Sequence, residues 1–192
     1  GVAALIVVVS VMSGFNRSIR SRLLEVEPHL VVNFSDLKDS KKIKEHKVYS
    51  QLQDLDTELI APISHQDVIL RTADGFVQGA VANGVTRGRL LQLLEYANKK
   101  AGREDEDLKA KIENLKAGEV ILGVGLADKI GLFRDDSVVI IPPETLLLPA
   151  GEIPKLSQGL VKGFLLTDVD RIDGQSFFYL LDQSFPRLRG SA

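Results

Sequence analysis

Val2 to Met12 reads VAALIVVVSVM, with Ser10 the only polar side chain. A water-exposed surface does not carry such a run, so it is buried in a core or lies in a membrane. A bilayer takes about 20 apolar residues, so the run alone is a buried strand, a core helix or one end of a span. The residues after it narrow the choice. Met12, Phe15, Ile19, Leu23 and Val26 recur at the spacing of one helical face, and Arg17, Arg20 and Arg22 fall off that stripe. The pattern predicts one helix over Val2–Val26, with Gly14 its weak point. Its apolar half ends a transmembrane span and its amphipathic half forms a stalk. The chain begins at Gly1 and its only methionine is Met12, so it is expected to be part of a longer protein.

Beyond Pro28 the chain reads as globular. Its 192 residues are 44% hydrophobic and 26% charged, enough to bury a core. A net charge of -2 supplies no positive field for a phosphate backbone, which excludes a dedicated nucleic-acid binder. Cysteine is absent, so disulfides, thiolate metal sites and cysteine nucleophiles are excluded together.

Glu27-Pro28 ends the first helix, because proline disfavours helical geometry in the residue before it. Leu30–Phe34 reads as a strand, and the lysine-rich Asp36–Asp56 as a solvated loop with a short helix. Ile60–Leu70 and Phe76–Asn83 read as strands joined by Ala73-Asp74-Gly75, a hairpin signal. Thr86 is placed to cap a helix running through Tyr96. Asn98–Lys116 alternates in charge and reads as an exposed helical or mobile insertion. Glu119–Leu122, Ser137–Ile141, Leu160–Leu166 and Ser176–Leu181 read as further strands. Leu126–Ile130 reads as a helical turn closed by Gly131, and Asp182 as the cap of a last helix. Strands and helices mix without a regular βαβ repeat, which predicts an α+β fold.

Chemical motifs fail on spacing. Gly123-x-Gly125 precedes a helix but has no third glycine and no phosphate-binding lysine, so a structural turn is expected. Asp168, Asp170 and Asp173-Gly174 imitate a calcium loop, yet Ile172 and Tyr179 occupy ligand positions. His29, His46 and His65 are scattered. Ser64, His65 and Asp67 carry the letters of a hydrolase triad, but neighbours on a strand point to opposite faces. No catalytic residue, metal or cofactor is expected, and the chain reads as a non-enzyme.

Pro142–Pro154, PPETLLLPAGEIP, needs another explanation. Its prolines forbid a central strand, while Leu146, Leu147 and Leu148 are apolar residues where a wet loop is expected. Either the loop folds back onto the core, or it is a proline-stiffened finger that presents leucines to a partner.

Ser10–Val32, SVMSGFNRSIRSRLLEVEPHLVV, resembles the segment that leaves the first transmembrane helix in permeases of the LolC/LolE (LolF) family. Glu119–Pro143 resembles a second family segment, in which a glycine-flanked helical turn precedes a strand. The family usually carries glycine before the aspartate there, where this chain has Asp135-Asp136, so the local turn is open to question. The resemblance covers nearly the whole chain and is loose in Asp36–Asp56 and Asn98–Lys116.

The resemblance implies a MacB-like periplasmic fold with Porter and Sabre lobes, over residues 27–192, after an anchor and stalk in residues 1–26. It implies the permease subunit of an ABC transporter, on the periplasmic side of the bacterial inner membrane, that extracts lipoproteins and passes them to the chaperone LolA. A LolD-type ATPase on a separate subunit and a second permease subunit, LolE-type or another copy, complete the implied assembly. The loop at 142–154 lies where the family carries its hook for LolA. The implied contact residues are Pro142, Pro143, Leu146, Leu147, Leu148, Pro149, Ala150, Gly151, Ile153 and Pro154, with Lys155 the one residue matching a basic pad. LolE-type subunits lack this loop, which points to a LolC- or LolF-type chain. The alternatives are another MacB-superfamily permease, for drug or toxin export or FtsX-type, and a soluble periplasmic binding module.

Overall fold

Val68 and Leu70, Ala80 and Ala82, Val120 and Leu122, Val138 and Ile140, and Phe177 and Tyr179 are pairs spaced two apart, which puts both side chains on one face of a strand. In the computed structural model of the protein they meet in one core inside a closed six-stranded barrel. The structure describes residues 2, 5–12, 32, 47–53, 62–102, 104–148 and 156–181. The chain divides into two units, residues 1–33 and 34–192.

In the first unit, Val2 and residues 5–12 are helical and exposed. The expected continuation through Val26 lies outside the described residues. Among the described residues no helix is long and apolar enough to cross a membrane. Of the expected strand Leu30–Phe34 only Val32 is described, and it belongs to no strand.

The second unit holds helix α1 (Lys47–Gln53), then strands β1 (Ser64–Thr72) and β2 (Val77–Val85) and helices α2 (Arg87–Ala101) and α3 (Glu106–Glu113). Strand β3 (Glu119–Gly123), helix α4 (Val124–Ile130) and strand β4 (Ser137–Ile141) come next. A 3-10 turn (Pro143–Leu147), strand β5 (Ser157–Leu165), the short helix α5 (Asp170–Asp173) and strand β6 (Ser176–Leu180) complete it. Helix and strand content is mixed, as an α+β fold requires. The helix that Asp182 would cap lies outside the described residues.

The strand order around the barrel is β1-β2-β6-β3-β5-β4. Exchanging β1 with β4, β2 with β5 and β3 with β6 returns the same ring read backwards. The pairing senses agree: both hairpins are antiparallel, and β2–β6 and β3–β5 are both parallel. The barrel is therefore two halves of three strands each, with helices α2 and α3 between the second and third strands of one and α5 between those of the other. Because β1 and β4 are antiparallel neighbours, with Thr72 opposite Val138 and Ile69 opposite Ile141, the two hairpin loops leave from opposite ends. One loop is the tight turn after Thr72, in which Gly75 takes φ 89. The other is the long proline-bounded loop after Ile141.

The helices answer to their caps. Thr86 accepts from the Arg89 amide at 3.3 Å, and Gly102, left-handed at φ 62, ends α2. The charge-alternating segment Asn98–Lys116 is helical, as expected, over the end of α2 and over α3, but it is packed on the barrel. Asp105 caps α3, and Leu108, Ile112 and Leu115 are buried. A β-carbon on Gly163 would lie 2.6 Å from Leu108 Cδ1, so α3 packs directly on β5 where the strand has no side chain. The charges that dominate this segment lie on its solvent face, and its three buried residues carry the packing.

Asp135 occupies the position where the turn was in question, and it takes the left-handed φ 65. Its amide donates to Val161 O at 2.7 Å and its carboxylate meets Lys162 Nζ at 2.6 Å. Aspartate tolerates this region better than most residues, so the turn forms without glycine.

Candidate functional site

Proline dictates how the chain leaves β4. Pro142 is extended, at φ -63 and ψ 137, and Pro143 opens the 3-10 turn. Neither has an amide hydrogen, so β4 cannot extend its ladder past Ile141. At the far end Leu148 returns to an extended backbone, φ -66 and ψ 138, as the residue before a proline should. Between these two joints Thr145 closes the turn. Its amide and its Oγ1 both donate to the Pro142 carbonyl, at 3.0 and 2.7 Å.

The turn separates anchor from display. Pro142 is buried and Pro143 half-buried, and the turn lies against β1. Leu146 is 68% and Leu147 85% exposed, so neither folds back onto the core. Leu148, at 36%, is only marginally exposed. Ile63, exposed just before β1, stands at this same end of the barrel. Pro149, Ala150, Gly151, Ile153, Pro154 and Lys155 lie outside the described residues. Thr145 is not among the residues that the sequence singles out. Its signal is a hydroxyl three residues after a proline carbonyl, a spacing at which threonine bonds back to the chain.

Other sequence patterns resolve as structure. A β-carbon on Gly123 would meet Ile172 O at 2.6 Å, and one on Gly125 would meet Asp173 O at 3.2 Å. The backbone of α5 thus fills the space a phosphate would need. Asp173, buried, accepts from the Thr167 amide and hydroxyl at 2.8 and 2.9 Å, which spends its carboxylate on a loop. His65 Nδ1 lies 2.9 Å from Asn83 Oδ1 on β2 rather than near a nucleophile. Among the described residues no three His, Asp or Glu side chains gather as a metal site.

Surface charges form two small networks. Lys162 bridges Asp135 at 2.6 Å and Glu119 at 3.9 Å, while Asp107 meets Lys111 at 2.9 Å and Arg134 at 2.7 Å. The hydrogen bond from Lys162 holds the Asp135 carboxyl below its usual range, and that from Lys111 does the same for Asp107.

No protein-family model matches the chain. It is 34% identical over 175 residues to the lipoprotein-releasing system transmembrane protein LolC of Neisseria meningitidis serogroup B. It is 30% and 28% identical over 179 residues to proteins of the same name from two strains of Xylella fastidiosa. Each match covers 90% of this chain and 40% of the relative, so the chain spans less than half the length of these relatives.

Proposed function

Because the chain belongs to the LolC family of lipoprotein-releasing permeases, we propose that it is the part of such a subunit that hands lipoproteins to the periplasmic chaperone LolA. In this reading residues 1–26 end the first transmembrane helix and form a stalk at the inner membrane. Residues 27–192 form a MacB-like periplasmic domain, with the barrel belonging to its lobes. The subunit is non-catalytic and works with a LolD-type ATPase and a second permease subunit.

Exposure of Leu146 and Leu147 on a turn bounded by prolines carries the proposal. A stiff loop loses little entropy on docking, and each leucine buried contributes about 1.5–3 kcal/mol. The hook 142–154 is the docking element, with Lys155 beside it as the candidate for the basic pad.

Binding of purified LolA to this chain, read by biolayer interferometry, tests the proposal. Leu147→Asp is expected to weaken binding by about tenfold or more, the loss of one buried leucine, with near-UV circular dichroism unchanged. Undiminished binding by Leu146→Asp and Leu147→Asp would rule the hook out.

A further inference from the structure

Resting on the hook reading, we infer that Thr145 is its positioning residue. Its hydroxyl holds Leu146 and Leu147 in one turn that fits a broad apolar cleft on the partner. A 3-10 helix of five residues is short, and nucleating one is costly. Both flanking joints, Pro142 and Leu148, are extended. The turn is closed at its entry by the Pro142 carbonyl, which accepts twice from Thr145. The second of these bonds needs the hydroxyl, and it fixes the side-chain rotamer of Thr145 together with the backbone.

The turn also sets the shape that a partner must present. Three residues per turn set neighbouring side chains about 120° apart, so Leu146 and Leu147 point to different sides of the tip. A groove built for an amphipathic helix reads residues three and four apart and would engage only one of them. A cleft that wraps the tip engages both. Glu144, exposed beside them, keeps a charge at the entry side of the turn.

The test compares Thr145→Val, which keeps the shape and loses the hydroxyl, with Thr145→Ser, which keeps the hydroxyl. The probe is purified LolA, with Leu147→Asp measured alongside. Thr145→Val is expected to weaken binding about fivefold, the size of one net hydrogen bond. Thr145→Ser is expected to bind close to the unchanged chain, and all three to melt at the same temperature. Amide exchange at Thr145 should speed up in the valine variant alone. If Leu147→Asp loses binding while Thr145→Val does not, the positioning role is wrong and the hook stands. Equal losses in the valine and serine variants would also overturn it, since the hydroxyl would not be the agent. If no variant changes binding, the hook reading falls and the role of Thr145 with it.

Discussion

A β-carbon on Gly123, the last residue of β3, would lie 2.6 Å from the carbonyl oxygen of Ile172 in α5. The obstacle is backbone from the other half of the barrel, so it cannot rotate away as a flexible side chain could. Gly123→Ala is therefore expected to cost at least about 3 kcal/mol or to prevent folding. Gly125→Ala, whose nearest contact is 3.2 Å, should cost about 1 kcal/mol. Urea denaturation of both variants measures the difference, and equal effects would contradict the packing.

Arg87, at the start of α2, donates to the carbonyls of Ile112 and Leu115, at 2.7 and 3.3 Å, and to that of Glu113. These carbonyls belong to the end of α3 and the residues after it, beyond the reach of the regular helical ladder, and that of Ile112 also accepts from the Leu115 amide at 3.3 Å. Arg87→Ala should destabilise the domain by about 1.5–3 kcal/mol, as loss of hydrogen bonds from a charged donor does. Arg87→Lys should recover part of that, because an ammonium cannot span three carbonyls as a guanidinium fork can. Hydrogen exchange should rise first in Ile112–Lys116.

Asp135 tests the left-handed turn. Asp135→Ala loses both the ion pair and the tolerance of positive φ, and should lower Tm by a few degrees. Asp135→Gly loses only the ion pair and gains a residue suited to φ 65, so its Tm should stay near that of the unchanged chain. A glycine variant as unstable as the alanine one would show that the carboxylate, not the backbone, decides the turn.

The same carboxylate has a pH signature. Lys162 lowers the Asp135 pKa chiefly through its hydrogen bond. The stabilisation is therefore present above the unfolded aspartate value of about 3.9 and is lost as pH falls through the lower folded value. Lys162 itself is raised by Asp135, so its share is present below about pH 10.4 and lost as pH rises through the folded value. Replacing Lys162 by methionine should flatten the acid limb of Tm measured from neutral pH to about pH 3. An unchanged acid limb would count against the pair.

Local elements are legible where a short-range rule decides them. The Asp-Gly hairpin, the Thr86 cap, the Gly131 stop and the proline end of β4 each rest on the backbone preference of one or two residues. The mixed α+β class comes from the periods of the apolar residues. Family membership is legible too, in Ser10–Val32 and Glu119–Pro143, because those strings are specific. Asn98–Lys116 misleads because charge dominates its letters, while Leu108, Ile112 and Leu115 are too few to stand out until β5 supplies a surface for them.

The sequence by itself determined that the β4–β5 connection cannot be a central strand and that its leucines need a partner or a core. Only the tertiary structure decided that Leu146 and Leu147 do not belong to the core. Solvent exposure depends on where the rest of the chain lies, and here Pro142 goes inward while Leu146 and Leu147 stay out. Closure of the barrel was likewise undetermined by any local pattern. It rests on parallel pairing of β2 with β6 and β3 with β5 across long stretches of chain, contacts that no period of apolar residues encodes. Those pairings bring α5 onto Gly123, and the antiparallel pairing of β1 with β4 starts the long loop at the end opposite the tight one.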